Sequence, residues 1–314
     1  MSNLLLTRWI GVDWGTSRLR AWAMNSEGTV LARSASDSGM GSLRPNDFEP
    51  ALLALVAPWL REGCTIPVIC CGMVGSRQGW LEAPYMAVPA APVTGGDLTR
   101  VNSRDQRINV HIIPGIMQLQ PADVMRGEET QIGGLLAQEP GFSGVVCLPG
   151  THTKWARVRG GELVGFSTFM TGELFSLLAE QSVLRHSVGA DGWDKGAFCE
   201  AVVSSLNEPE RWAEKLFSLR ARSLICDLSR TEARARLSGL LIGLELGGTT
   251  QYWQSHNVAI LGTDALSLAY CDALETQGAL CKRYDVEAMT LAGLNSAASQ
   301  LLNSPHALEA VQDG

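Results

Sequence analysis

Two stretches of the chain have nearly the same pattern, and together they restrict what it can fold into. Trp9 to Met24 reads WIGVDWGTSRLRAWAM, and Val145 to Val158 reads VVCLPGTHTKWARV. Each is a strand, a Gly-Thr turn with a further hydroxyl, a basic residue and a returning strand that carries Trp. In the first, Ile10 and Val12 are strand formers, Asp13 follows, and Gly15-Thr16-Ser17 reverse the chain. On the way back Leu19, Ala21 and Ala23 share one face, with Arg18, Arg20 and Trp22 on the other. A turn at Asn25-Ser26-Glu27-Gly28 leads to a third strand over Thr29 to Arg33, and Gly160-Gly161 stands in that place in the second copy, before a strand over Glu162 to Thr168. An internal repeat this far apart implies two domains of one fold, each offering a Gly-Thr hairpin. Setting Gly15-Thr16 over Gly150-Thr151 brings Arg18 near Thr153-Lys154 and Trp22 near Trp155. It also sets Asp13 against Leu148, so one hairpin alone carries a carboxylate that could hold Mg²⁺ through water.

Between the copies, Asn46 or Asp47 caps a helix through Leu52, Leu55, Val56 and Trp59, which Pro58 kinks or shortens. Thr65 to Cys71 is a buried strand that empties into GMVGSRQGWLEAPYMAVPAAP. That segment holds too many Gly and Pro residues for regular structure, yet it carries Arg77, Gln78, Trp80 and Tyr85, where α/β proteins tend to put ligand contacts. Val110 to Pro114 is another strand. In DVMRGEETQIGGLLAQEPG, Glu128 and Glu129 open a helix whose apolar face is Ile132, Leu135 and Leu136. From Thr171 the chain is mostly helical, with a stripe at Leu174, Leu177, Leu178 and Leu184 and another at Leu237, Leu240, Leu241 and Leu244. A last buried strand, Asn257 to Leu261, runs into Gly262-Thr263-Asp264 and a helix, the form of a nucleotide-facing edge. Tyr284-Asp285 starts a closing helix to about Leu302, and the tail after Pro305 looks frayed.

Length and composition narrow the function. At 314 residues with 46% hydrophobic content there is material for about two domains with real cores. The net charge of −7, with both signs interspersed, gives nucleic acid or a membrane surface no electrostatic hold. No apolar run reaches the roughly 18 residues of a membrane span, and the amino terminus has no basic segment of a signal peptide. Eight cysteines lie scattered without CxxC pairs, and Cys70-Cys71 reads as a pair of buried reduced thiols. The expected compartment is the cytoplasm. Oligomeric state is not legible.

Three Gly-Thr turns with no GxxxxGK[ST] point to phosphoryl transfer between two lobes. The order resembles the sugar kinase, hexokinase, Hsp70 and actin superfamily, with two phosphate motifs and an adenosine motif. More narrowly, IGVDWGTSRLRAWAM, GMVGSRQGW, DVMRGEETQIGGLL, LPGTHTKW and FMTGELFSLL resemble the 2-dehydro-3-deoxygalactonokinase family. The resemblance implies an α/β protein of two ribonuclease H-like (actin-like ATPase) domains with a ligand cleft between them. They are placed at residues 1–127, with the first phosphate hairpin and sugar-acid loop, and 128–314, with a helical insertion. It implies ATP-dependent phosphorylation of a sugar acid, 2-dehydro-3-deoxy-D-galactonate, at its terminal hydroxyl in galactonate degradation. By the superfamily's pattern Asp13 holds Mg²⁺, and Gly15, Thr16, Ser17 and Arg18 approach the transferred phosphate. Gly150, Thr151, His152, Thr153 and Lys154 form the second phosphate loop, and Gly262 and Thr263 lie by the adenosine. Related kinases keep an Asp base in a Gly-Asp-Gln-like segment; here Gly127-Glu128-Glu129 stands there, and Glu128 is favoured for following the glycine directly. For the substrate carboxylate Arg77 is favoured, beside Gln78 and Trp80, with Arg126 second. A kinase for the gluconate epimer and a non-kinase ATPase or phosphohydrolase remain as alternatives. A sugar-responsive regulator would carry a helix-turn-helix before the first hairpin, where only eight residues precede Trp9.

Overall fold

In a computed structural model, which describes residues 7–93 and 97–303, both repeats are hairpins. Strands β1 (Trp9–Trp14), β2 (Leu19–Met24) and β3 (Val30–Ser36) form an antiparallel meander. Helix α1 (Phe48–Val56) follows and ends in a tight turn at Ala57–Trp59, where Pro58 was expected to shorten it. Then come β4 (Ile66–Gly72), β5 (Tyr85–Ala87), β6 (Thr99–Val101), β7 (Ile108–Ile112), β8 (Gly115–Leu119), β9 (Ala122–Met125) and α2 (Glu128–Gln138). The second repeat is β10 (Gly144–Leu148), β11 (Thr153–Arg159) and β12 (Glu162–Phe169). Helices α3 (Thr171–Gln181), α4 (Lys195–Asn207), α5 (Trp212–Ile225), α6 (Arg230–Gly248) and α7 (Thr250–Trp253) intervene. The chain closes with β13 (Val258–Gly262), α8 (Asp264–Glu275), β14 (Cys281–Asp285) and α9 (Val286–Leu302).

The sheets show what the repeat means. One runs β3-β2-β1-β4-β7-β6, the other β12-β11-β10-β13-β14. In both, the central hairpin strand pairs in parallel with the next strand, β1 with β4 and β10 with β13; β7 and β14 extend the parallel run. A meander joined to parallel strands, made twice, is the ribonuclease H-like α/β fold that was expected.

Contacts group the chain into two units. Among the described residues, one holds those up to Phe142, Gly160–Val164 and those from Val286 on; the other holds Ser143–Arg159 and Gly165–Asp285. The expected boundary at 127/128 therefore moves. Helix α2 stays with the first unit because α9 packs on it, and α9 lays Leu294, Ala297 and Ala298 against Trp9, Trp22, Met24 and Ile69. The opposite face of that sheet carries Ile10, Val12, Leu19 and Ala21 under Phe48 and Leu52 of α1. In the second unit Val145, Cys147, Trp155, Ile260 and Tyr270 join Phe198 and Ile242 in the core.

Several expectations are corrected. Trp155 stands opposite Cys147 and Trp22 opposite Gly11, so with Gly15 set on Gly150 the true counterpart of Trp22 is Ala156. A one-residue slip puts the two tryptophans on opposite sheet faces. The segment after β4 was read as irregular, yet Tyr85–Ala87 pairs with β8, which pairs with β9, as a three-stranded sheet. Strand β14 was missed. The Leu174 and Leu177 stripe of α3 is exposed, while its neighbours Phe175 and Leu178 pack inward. Cys70 and Cys71 are buried free thiols, but Cys271 and Cys281 form a disulfide between α8 and β14. Among the described residues no helix is long and apolar enough to cross a membrane. The tail after Pro305 lies outside the described residues.

Candidate active site

The turn after β1 is held from behind by the Gly-rich loop at Ser38–Ser42. Met40 and Gly41 donate their backbone N–H groups to the carbonyls of Gly15 (3.0 Å) and Thr16 (2.9 Å), and the Trp14 indole donates to Ser38 O at 3.0 Å. With those carbonyls engaged, Thr16, Ser17 and Arg18 form an exposed rim; Arg18 approaches Asp37 at 3.8 Å. Asp13 lies just inside, its side chain 17% exposed, and Arg20 donates to it across the hairpin where the register sets the two residues opposite. Arg20 was not among the expected site residues. Cross-strand pairing to Asp13 was the signal that could have found it.

The glutamate corner lies on the end of the strand beside Asp13 because two glycines permit it. Gly72 (φ +91°) and Gly127 (φ +106°) adopt backbone conformations that side chains resist. A Cβ on Gly72 would stand 2.8 Å from Trp14 O and 3.4 Å from Asp13 Oδ1; one on Gly127 would stand 3.2 Å from the Gly72 Cα. The corner Gly127-Glu128-Glu129 thus folds down on the end of β4, one strand from Asp13. The two carboxyls then part company. Glu129 is fully buried, accepting from the Gly127 N–H at 2.6 Å and the Thr130 hydroxyl at 2.9 Å. Burial, reinforced by the neighbouring Glu128 charge, pushes its carboxyl up to about 7. Glu128 is half-buried and accepts from the Arg126 N–H at 3.1 Å. Cys71, packed near both Asp13 and Glu129, has its thiol raised well above the usual range, first by burial and then by those two charges.

The four expected substrate contacts separate. Arg77 is 81% exposed and lies 3.7 Å from Glu82; Gln78 is exposed as well. The Trp80 ring stacks on Phe48 (centroids 6.3 Å) and meets Trp14 edge-on (6.1 Å), so it serves the core. Arg126 is buried, donates Nη2 to Ala83 O at 2.7 Å and lies over the Tyr85 ring at 4.3 Å.

The turn after β10 is braced from below by α3. A Cβ on Gly172 would meet Gly150 O at 2.2 Å, so only glycine lets the helix start press on the turn. Glu173 donates its N–H to Thr151 O at 2.9 Å, and its carboxylate meets His152 Nε2 at 2.6 Å. Thr151 and His152 are exposed; Thr153 and Lys154 are buried. Gly262 stands next to this turn, a Cβ there lying 3.3 Å from Pro149 Cδ, and Thr263 is exposed at the start of α8.

Among the described residues no three His, Cys, Asp or Glu side chains gather as metal ligands. If Mg²⁺ binds, Asp13 is the carboxylate at the hairpin that would hold it, through water, as this ion commonly sits in phosphoryl-transfer sites. Its carboxylate, partly exposed and bonded to Arg20, fits that role.

A family model described as 2-keto-3-deoxy-galactonokinase matches residues 13–297. A Rhizobium meliloti protein named as a probable 2-dehydro-3-deoxygalactonokinase is 40% identical over 91% of this chain and 95% of its own. The 2-dehydro-3-deoxygalactonokinase of Escherichia coli is 32% identical over 95% of this chain and 100% of its own. A crystal structure from Sinorhizobium meliloti, assigned to the same activity, superposes with a TM-score of 0.87 at 39% identity, over 94% of this chain and 97% of that one. The chain belongs to the 2-keto-3-deoxy-galactonokinase family.

Proposed function

We propose that the protein transfers the γ-phosphoryl group of ATP to the terminal hydroxyl of 2-dehydro-3-deoxy-D-galactonate, giving the 6-phosphate and ADP. The observation that carries the reading is the glutamate corner packed on the end of β4, one strand from Asp13, in a chain of this family. In the proposed chemistry Glu128 takes the proton from the attacking hydroxyl as the new P–O bond forms and the bond to the ADP oxygen breaks. Glu128 is preferred over Glu129 because it is half-buried, whereas Glu129 is fully buried. The Thr16–Arg18 rim approaches the transferred phosphate, and Gly150–Lys154 holds nucleotide phosphates, with Gly262 and Thr263 by the adenosine. Mg²⁺ when bound would neutralise charge on the phosphates, with Asp13 orienting its water shell. Initial rates over 2-keto-3-deoxy acids of both epimers and neutral sugars test the reading. The galacto acid should give the highest kcat/KM. Preference for the gluco epimer would change the named substrate, and ATP turnover indifferent to any acid would remove the kinase assignment.

A further inference from the structure

One buried carboxyl in the second unit is used by nothing above. Glu245, on α6, is 2% exposed and lies behind the Gly150–Lys154 turn. The Trp155 indole N–H of β11 donates to its Oε1 at 2.7 Å. The Tyr270 hydroxyl of α8 donates to Oε2 at 2.9 Å, and the Thr171 hydroxyl, the first residue of α3, donates to the same oxygen. Tyr270 in turn shares a hydrogen bond of 2.9 Å with Thr153 Oγ1, at the start of β11 where the turn ends.

The three donors come from the three elements that border the proposed nucleotide contacts. Strand β11 carries Thr153 and Lys154. Helix α3 presses Gly172 on Gly150 and bonds Thr151 through Glu173. Helix α8 begins directly after Gly262-Thr263, and Gly262 lies beside Pro149. We propose that Glu245 is a positioning residue for the nucleotide: its carboxyl sets the phosphate turn, the start of α3 and the adenosine-side helix in one mutual geometry. Stability alone does not call for a carboxyl here, because burying one among apolar residues is costly even when it is well bonded. What three convergent donors do supply is a fixed orientation, and a turn held in its binding geometry loses less freedom when phosphate arrives.

This inference rests on the kinase reading, and its test separates the two. ATP affinity is measured by calorimetry, with KM for ATP and for the sugar acid, on wild type and on Glu245→Gln, Tyr270→Phe and Thr171→Val. Tyr270→Phe keeps the ring and cuts the link between Glu245 and Thr153, so it remains informative if Glu245→Gln folds poorly. Each variant should weaken ATP binding by about tenfold, the scale of one lost hydrogen bond with its consequences, and leave the sugar-acid KM near wild type. Thr171→Ser, which keeps the donor, should bind ATP as wild type does. Variants that lower Tm while ATP affinity stays unchanged would overturn the proposal and leave Glu245 as core structure. Wild-type protein that binds no ATP would overturn the kinase reading itself, and this inference with it.

Discussion

The two hairpins share a strand order and a turn, and differ in what stands at the same place on the ladder. In the first, Asp13 pairs across with Arg20; in the second, Leu148 pairs with Lys154. One hairpin presents a partly exposed carboxylate with its own counter-charge, and the other an apolar residue beside a buried lysine. In the proposed reading the same backbone device takes a metal-bound phosphate at one turn and a bare anion at the other. Behind each turn lies a buried glutamate, Glu129 in one unit and Glu245 in the other, and both carboxyls are pushed up to about 7 chiefly by burial. They divide in partners: Glu129 closes a local corner, whereas Glu245 draws together three elements.

The sharpest break in that comparison is to erase the difference between the hairpins. Asp13→Asn should cut kcat by about two orders of magnitude or more, since it removes the carboxylate that would hold the Mg²⁺ water shell, and the cation's stabilisation of phosphate charge is a large term in catalysis. A compensating Leu148→Asp should restore nothing. Steady-state rates at saturating Mg²⁺ check this, and near-wild-type turnover in Asp13→Asn would remove the distinction.

Next in size is the contrast between adjacent carboxyls. Glu128→Gln should lower kcat by about 10²–10⁴-fold, the usual worth of a general base, with ATP affinity little changed. Glu129→Gln should lower it less. The reverse ranking would assign the base to the buried residue, whose raised carboxyl already lies near working pH.

A smaller effect sets the buried pair together. The carboxyls of Glu129 and Glu245 lie at about 7 in the folded chain against an ordinary value of 4.5. A group raised by folding contributes stability at low pH and loses it as pH rises through the folded value. Their contribution should therefore decline from about pH 4.5 to beyond pH 7, and Glu129→Gln or Glu245→Gln should flatten that decline in denaturant melts at pH 5 and pH 8. Parallel curves for wild type and variants would show that burial does not set these carboxyls.

Much of this was legible because hairpins and buried strands are local. The Gly-Thr turns, the strand into Cys71 and the helix opened by Glu128 and Glu129 all show in neighbouring residues. What failed was non-local. Strand β14, reading CKRYD, is a half-exposed edge strand with no clean alternation, so only its pairing with β13 reveals it. The return of α9 to the first unit depends on Leu294 and Ala297 meeting Trp9 and Met24, which periodicity along α9 cannot name. The tryptophan match misled because similar residues were set side by side without regard to which face each occupies. Glu245 did carry a signal: it stands four residues after Leu241 and eight after Leu237, on the core side of α6, where a carboxylate calls for partners.

Where the phosphoryl group goes distinguishes a sugar-acid kinase from every other reading of this site. Phosphorus NMR of a reaction with ATP and 2-dehydro-3-deoxy-D-galactonate should show one phosphate ester coupled to the C6 methylene protons, formed in step with ADP and lost in Asp13→Asn. Release of inorganic phosphate without an ester, or an ester at another carbon, would contradict the proposed reaction.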